Sequence, residues 1–124
     1  MAGAVAIIAV DVDPYAIAAT RLNTDLNGMG VDTWLRDAVG ALAGQEVEWD
    51  VVMVGDLFFE QPLAQELEAW LRDLRHQGVE ILIGDPQRTY LPRQGLENIA
   101  TYVVQTTSSL EDSDLRNASV WRIL

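Results

Sequence analysis

Three apolar runs in the sequence each stop at an aspartate: AVAIIAVD at Asp11, VVMVGD at Asp56 and VEILIGD at Asp85. Runs this short and rich in β-branched residues are typical of strands that are buried on both faces of a sheet. In open α/β sheets, ligands bind in the crevice outside the carboxyl ends of such strands. The spacing therefore predicts that the three carboxylates line one edge of a parallel sheet and face a ligand.

Asp11 and Asp37 are the candidate residues for binding a nucleoside. Asp11 ends the first strand ahead of a helix, where a carboxylate can accept hydrogen bonds from the two vicinal hydroxyl groups of a ribose. Its neighbour Asp13 is better explained as the N-cap of that helix. Asp37 follows the second strand and could accept from an adenine amino group, but an ordinary solvated loop aspartate is an equal interpretation.

Asp56 and Glu60 enclose two aromatic residues, Phe58 and Phe59. Aromatic rings beside carboxylates can form a pocket for a flat or cationic group through cation–π and charge contacts. The alternative is that the rings belong to the hydrophobic core, and we expect this of at least one of them.

The segment from Asp85 to Arg88, DPQR, predicts a turn at the end of a strand. Arg88 could form an ion pair with Asp85 or contact a partner molecule, and the sequence leaves both possibilities open.

Strand and helix patterns alternate along the chain and predict an α/β protein with a Rossmann-like, mostly parallel sheet, helices on both faces and an antiparallel strand pair at the C-terminus. The predicted strands are Ala4–Val10, Val31–Leu35, Trp49–Val54, Val79–Ile83, Ala100–Gln105 and Ser119–Ile123. The predicted helices are Pro14–Leu26, the segment between Pro62 and Gly78, and a short one within Leu91–Ile99. Ala38–Glu48 is expected to be a loop or a single helical turn, and Thr106–Asn117 a surface loop.

Two of the predicted helices have an apolar face at 3.6-residue spacing. In the first helix the expected buried residues are Tyr15, Ala19, Leu22 and Leu26. In the helix after Pro62 they are Leu63, Leu67, Trp70, Leu71 and Leu74.

The composition limits the possible partners of this protein. The 124 residues suffice for one domain, and the formal net charge is −11. Binding to nucleic acid or to an anionic membrane needs a basic surface, so neither is expected, whereas a basic protein or a cationic group would be attracted. The chain has no cysteine and one histidine, His76 in a helix, which argues against disulfides and against metal sites built from cysteine or histidine. Without a leader-like or membrane-spanning apolar segment, the sequence predicts a cytoplasmic protein.

Four segments together resemble the class I S-adenosylmethionine-dependent methyltransferases: DVDPYAIAATRLNTDLNG, VGDLFFEQPLA, LIGDPQRTYLP and the terminal SVWRI. Within that class they are similar to the electron-transfer-flavoprotein β-subunit lysine methyltransferases and to bacterial relatives labelled nicotinamide N-methylases. The resemblance covers nearly the whole chain in the expected order.

The resemblance implies a protein-lysine methyltransferase that uses S-adenosylmethionine. By this resemblance, Asp11 would hold the ribose of the cofactor and Asp37 would lie near the adenine. Asp56 would line the methyl-transfer site, where Glu60 would help to hold the incoming amine. The substrate-binding residues would be Phe58, Phe59, Asp85 and Arg88, and no metal is implied. The protein substrate, by the same resemblance, could be the electron transfer flavoprotein β subunit.

The sequence departs from this family at its beginning. A first strand and a glycine-rich cofactor loop would be expected ahead of Ala2, so residues 1–124 are expected to be a single domain that forms the C-terminal portion of a methyltransferase domain. The strands Ala4–Val10 and Trp49–Val54 would then each have an open edge, which favours self-association, and cofactor binding would be weakened or lost.

Two other functions fit the same residues. The chain could be a non-catalytic methyltransferase remnant that binds a partner or associates with itself. A receiver-like signalling domain is a third interpretation, because acids at strand ends also bind Mg²⁺; such a domain would use a lysine, and the chain contains none.

Overall fold

The computed structural model describes residues 3–107 and 113–124. Strands alternate with helices over this part of the chain, in the order β1 (Ile8–Asp11), α1 (Pro14–Leu26), β2 (Asp32–Leu35), α2 (Ala38–Leu42), β3 (Val51–Gly55), α3 (Leu63–His76), β4 (Glu80–Asp85), β5 (Leu96–Thr107) and β6 (Ser113–Ile123). None of the helices formed by these residues is long and apolar enough to cross a membrane.

The chain divides into two compact units, Met1–Ala43 and Gly44–Leu124. Each unit contains a sheet of its own: β1 pairs with β2 in the first, and the second has the strand order β3-β4-β6-β5. The prediction of a single domain over residues 1–124 stays a prediction.

In the first unit, α1 connects two parallel strands. β1 and β2 pair in register from Ile8 with Asp32 to Asp11 with Leu35. Helix α1 begins as the sequence predicts, because the Asp13 carboxylate accepts a hydrogen bond from the Tyr15 N–H at 2.9 Å. The strand–helix–strand arrangement brings the ends of β1 and β2 to one edge.

The face of α1 that packs in the structure differs from the predicted one. All four residues of the predicted buried face are exposed: Tyr15, Ala19, Leu22 and Leu26. The helix instead buries Ile17, with Thr20 and Thr24 half-buried on the same stripe. The prediction was wrong because β1 and β2 have only four residues each and offer little apolar surface to cover. A narrow stripe of α1 is therefore enough to cover the two strands, and the larger apolar side chains of the helix lie outside this stripe.

In the second unit, one parallel pair and two antiparallel pairs form the sheet. β3 runs parallel to β4, from Val51 opposite Glu80 to Gly55 opposite Gly84. β6 is antiparallel to β4 on one side and to β5 on the other. The predicted α/β class and its antiparallel C-terminal pair are confirmed.

Helix α3 supplies much of the core of this unit. It buries one apolar stripe and leaves its charged side chains outside, as its sequence predicts. The buried residues of the stripe are Ala64, Leu67, Trp70, Leu71 and Leu74, while Leu63 is half-buried. The helix packs on β4, where Ile81 and Ile83 are fully buried. Burying each large apolar side chain contributes roughly 1.5–3 kcal/mol before entropy costs.

Strand β3 is less buried than predicted. Val54 is buried, but Val51 and Met53 expose 46% and 79% of their surface. The sequence predicts burial on both faces of this strand. In the part of the chain that the structure describes, β3 is the edge strand of its sheet and has β4 as its one neighbour. Because Val51 and Met53 alternate with Val52 and Val54, the exposed side chains share one face of the strand, and that face is open.

The segment Leu91–Ile99 is not a helix. It forms a turn that leads into β5 at Leu96. Pro92 suits a helix start, but Gly95 follows three residues later with a φ of 72° and ends the turn, and the residues after it are rich in β-branched and aromatic types. The predicted loop Thr106–Asn117 is also shorter than expected, because β5 continues to Thr107 and β6 begins at Ser113; its middle, residues 108–112, lies outside the described residues.

Gly95 is required where the turn meets α3. A Cβ at this position would lie 2.7 Å from Nη1 of Arg72, whose Nη2 donates a hydrogen bond to the Gln94 carbonyl at 2.7 Å. Replacing Gly95 by alanine is expected to lower the free energy of unfolding by about 1–2 kcal/mol, the cost of a left-handed backbone for a residue with a Cβ. Urea unfolding measures the change. Gly30→Ala, where a Cβ would meet no atom within 4 Å, is the control, and equal effects of the two changes would contradict the assignment.

Candidate functional site

Asp56 lies at the carboxyl end of β3, next to the end of β4. Its N–H donates to the Gly84 carbonyl at 2.9 Å and so continues the parallel ladder by one residue. Its φ is 48°, in the left-handed region that Asp and Asn enter more readily than most residues do. The strand pair therefore fixes both the position of Asp56 and the direction in which its side chain leaves the sheet.

The Asp56 carboxylate is held by Arg88 in a two-point ion pair. Nε of Arg88 donates to Oδ1 of Asp56 at 2.6 Å, and Nη2 donates to Oδ2 at 2.8 Å. These hydrogen bonds hold the pKa of the Asp56 carboxyl below its usual value; partial burial opposes the shift, and the charge of Arg88 adds to it. The same hydrogen bonds raise the pKa of Arg88. Both side chains are about half exposed, so solvent screens the pair. Asp56 is therefore an ionised hydrogen-bond acceptor and a weak base.

Asp85 anchors the turn that carries Arg88. Its side chain is 2% exposed, and Oδ2 accepts the Arg88 N–H at 2.9 Å. The guanidinium of Arg88 thus binds Asp56, and its backbone N–H binds Asp85. The structure does not form the Arg88–Asp85 ion pair that the sequence left open, and contact of Arg88 with a partner molecule stays a prediction. Oδ1 of Asp85 is buried and has no hydrogen-bond partner among the described residues. Because a buried acceptor without a donor costs free energy, this oxygen is available to a donor group.

The residues that follow Asp56 divide between core and surface. Phe58 is fully buried, whereas Phe59 exposes 47% of its surface. This agrees with the expectation that at least one of the two rings belongs to the core. Glu60 is exposed, and its carboxylate has no partner in the described part of the chain. After Asp56 the chain therefore exposes one aromatic ring, Phe59, and one carboxylate, Glu60, and a substrate contact by Phe58 stays a prediction.

In the first unit, Asp11 and Asp37 follow adjacent parallel strands at the same edge. The Arg36 N–H donates to the Asp11 carbonyl at 3.0 Å, which places Asp37 one residue beyond this contact. Oδ1 of Asp11 accepts the Asp13 N–H at 3.0 Å, and Oδ1 of Asp37 accepts the Gly40 N–H at 3.2 Å and caps α2. The second oxygen, Oδ2, of each carboxylate takes no part in these hydrogen bonds. Two exposed acceptors at the carboxyl edge of parallel strands fit the ribose and adenine groups of a nucleoside.

A cavity of about 660 Å³ in the first unit lies away from Asp11 and Asp37. It is lined by Asp32, which begins β2, and by Arg21 and Thr24 of α1, so it lies towards the amino end of the strand. Within residues 3–107 and 113–124, no group of three or more acidic, histidine or cysteine side chains could hold a metal ion.

Sequence reasoning missed Arg93 and Trp121. Both line a cavity of about 440 Å³ beside the turn after β4, together with Arg88. Two arginines within six residues were a visible signal in a chain with eight basic residues, but Trp121 comes from β6 and joins them through the sheet.

Comparison with curated proteins identifies clear homologues. The chain is 34% identical over 127 residues to the electron transfer flavoprotein β-subunit lysine methyltransferase of Xenopus laevis, and 31% identical to those of Danio rerio and Homo sapiens over 128 and 126 residues. Each alignment covers 98% of this chain and between 47% and 50% of the relative. The chain therefore spans about half the length of these relatives. No protein-family model matches it.

Comparison with solved structures identifies the fold. The Escherichia coli protein YhhF, described as a methyltransferase, superposes with a TM-score of 0.61 at 15% identity, over 97% of this chain and 64% of that one. An rRNA methylase from Streptococcus thermophilus gives a TM-score of 0.57 at 11% identity, over 95% and 72% of the two chains. At such low identity these likenesses concern the fold alone. Over 98% of its length the chain is therefore similar to about half of the electron transfer flavoprotein β-subunit lysine methyltransferases, and it shares its fold with the two solved structures described above.

Proposed function

We propose that this chain is part of an S-adenosylmethionine-dependent N-methyltransferase that acts on a lysine side chain of a protein. The observation that carries the proposal is Asp56, an ionised carboxylate that is held at the end of β3 by Arg88 and begins the segment that carries the exposed Phe59 and Glu60. The relatives are named for lysine methylation of the electron transfer flavoprotein β subunit, and we propose a protein substrate of that kind.

The exposed groups on the segment from Asp56 to Glu60 suit an amine that accepts the methyl group. Asp56 and Glu60 attract a lysine ammonium, and the ring of Phe59 can contact the cation through its face. Methyl transfer requires the neutral amine, which the site must hold in line with the reacting methyl group. Because Arg88 makes Asp56 a weak base, Asp56 orients the amine by a hydrogen bond, and the proton leaves to water.

Asp11 and Asp37 are the proposed cofactor residues. The second carboxylate oxygen of Asp11 suits a ribose hydroxyl, and that of Asp37 suits the adenine amino group. The cofactor supplies an electrophilic methyl group on its sulfonium sulfur. The free acceptor atoms of the two aspartates support this assignment.

Asp85, Arg88 and Phe58 are proposed to shape the substrate side of the site. Arg88 holds Asp56 in place, Asp85 holds Arg88, and Phe58 anchors the segment between Asp56 and Glu60 in the core. The net charge of −11 favours a lysine-rich partner. The cytoplasmic location and the lack of nucleic-acid or membrane partners stay predictions from the composition.

Methyl transfer to a protein lysine tests the proposal. The purified chain is incubated with S-adenosylmethionine carrying a tritiated methyl group and with purified electron transfer flavoprotein β subunit, and mass spectrometry locates the label. Label on lysine side chains is the expected result. Absence of label, together with no heat of S-adenosylmethionine binding in calorimetry, would contradict it.

A second candidate function is a non-catalytic module that associates with itself or with a partner. The specific observation in its favour is β3, an edge strand that exposes Val51 and Met53 among the described residues. Open strand edges template the addition of further strands. Size-exclusion chromatography over a range of concentrations distinguishes the two: a stable monomer that transfers methyl groups favours the enzyme, and a concentration-dependent oligomer without transfer favours the module.

A further inference from the structure

The turn between β4 and β5 is held by hydrogen bonds at both ends. At its start the buried Asp85 carboxylate accepts the Arg88 N–H at 2.9 Å. At its end Arg72 of α3 donates to the Gln94 carbonyl at 2.7 Å, and the Leu124 N–H donates to the Gly95 carbonyl at 3.0 Å. A segment fixed in this way presents its side chains without a large ordering cost on binding.

This turn forms one wall of the cavity of about 440 Å³ mentioned above, which we call the Arg93 cavity. Its basic side chains are Arg88 and Arg93, and its apolar surface comes from Leu91, Leu96 and the half-buried Trp121. A volume of this size is within the range of small-ligand pockets and exceeds that of a single side chain. The Arg93 cavity therefore combines positive charge with an apolar floor.

The charge of the Arg93 cavity contrasts with that of the chain. The chain has 19 acidic against eight basic residues, and two of the basic residues line this one cavity. Arg88, Arg72 and Arg122 each pair with a carboxylate. Arg93 makes no ion pair or side-chain hydrogen bond with any described residue. An exposed arginine without a partner is ordinary by itself, but here it faces a cavity that a second guanidinium also lines.

Arg88 connects the Arg93 cavity to the acceptor site. Its Nε and Nη2 bind the Asp56 carboxylate, and its side chain also lines the cavity. Nη1 makes no hydrogen bond within the described part of the chain. A ligand group in the cavity would therefore lie next to the carboxylate that is proposed to orient the lysine amine.

We propose that the Arg93 cavity binds a carboxylate side chain, glutamate or aspartate, that lies close in sequence to the methylated lysine of the protein substrate. The inference rests on the proposed function, because it places the lysine at Asp56. Guanidinium groups bind carboxylates through paired, charge-assisted hydrogen bonds, and the aliphatic part of the acidic residue would lie on Leu96 and Trp121. Recognition of a neighbouring acid would give the acceptor site a sequence preference that its own carboxylates cannot provide.

Two matched peptides test the proposal by isothermal titration calorimetry at low salt. The first is Ac-Gly-Glu-Gly-Lys-Gly-Glu-Gly-NH2, and the second has glutamine at both glutamate positions. The first peptide is expected to bind about tenfold more tightly, since hydrogen bonds between charged partners exceed those to a neutral amide. In Arg93→Gln this preference is expected to disappear.

Arg75→Gln is the matched control. It makes the same chemical change on the exposed side of α3, so the preference for the glutamate peptide should persist. Circular dichroism establishes that both variants fold. Equal affinity for the two peptides, no measurable binding of either, or a preference that survives in Arg93→Gln would each overturn the proposal.

The same variants separate this proposal from the proposed function. A glutamate preference that Arg93→Gln removes supports the Arg93 cavity even if the chain transfers no methyl group, in which case the proposed function alone fails. Methyl transfer to both peptides at equal rates, with each peptide far below saturation, would sustain the proposed function and overturn the assignment of the cavity.

Discussion

Asp56→Asn is expected to lower the rate of methyl transfer to lysine by about 100-fold or more, the usual loss when one fixed polar group at a reaction centre is removed. The asparagine keeps the shape of the side chain and tolerates the φ of 48° found at this position. The variant therefore removes the negative charge that attracts the ammonium and accepts its hydrogen bond, with little change of backbone. Rates of tritium transfer at saturating cofactor measure the effect.

Asp50→Asn is the control for this experiment. Asp50 is exposed and lies one residue before Val51, at the opposite end of β3 from Asp56. Asp50→Asn therefore makes the same change in charge at the end of the strand away from the proposed site. Its transfer rate should match that of the unaltered chain. If Asp56→Asn transferred methyl groups as fast as Asp50→Asn, Asp56 would not be the residue that orients the amine.

The local elements could be predicted from the sequence because their signals are local. The apolar stripe of α3 recurs at 3.6-residue spacing, and Asp13 and Pro14 mark the start of α1 by capping and by a preset φ. The strand-end positions of Asp11, Asp56 and Asp85 followed from the abrupt change from apolar runs to an acid. Each of these features depends on fewer than about 15 neighbouring residues, the usual length of one helix.

The pairing within the site could not be predicted, because it depends on strand register. Arg88 reaches Asp56 across 32 residues only because Gly55 lies opposite Gly84 in the parallel ladder. The sequence left open an ion pair with Asp85 or contact with a partner molecule, whereas the buried Asp85 binds the backbone of Arg88. The proximity of Arg93 and Trp121 could not be predicted for the same reason, because it depends on the pairing of β4 with β6.

The predictions of burial were wrong where an apolar face has no other element packed against it. An apolar run indicates burial only if other elements cover it, and the helix face at Leu22 and the strand face at Met53 are both open in the structure. The helix predicted within Leu91–Ile99 was wrong for a different reason. Pro92 fits a helix start and a turn equally well, and the conformation is determined by Gly95 and by the pairing of β5 with β6.

Phe58→Ala is expected to lower the free energy of unfolding by about 3–5 kcal/mol, the usual cost of removing a buried aromatic side chain and leaving a cavity. Phe58 is fully buried, and it lies between Asp56 and Glu60, so it fixes the segment that carries both carboxylates. A loss of this size is a large fraction of the 5–15 kcal/mol that is typical of small domains, roughly enough to unfold a marginal one. Urea denaturation followed by circular dichroism measures the change.

Phe59→Ala supplies the matched comparison, because the adjacent ring exposes 47% of its surface and its removal leaves no closed cavity. Its expected cost is below about 1.5 kcal/mol, half of what full burial of a phenylalanine contributes. If Phe59 contacts the lysine, this variant should lose affinity for the substrate while most of its stability remains, whereas Phe58→Ala should lose both together. Equal destabilisation by the two changes would show that the segment after β3 is not anchored by Phe58, and the placement of Asp56 would then rest on Arg88 and the ladder to Gly84 alone.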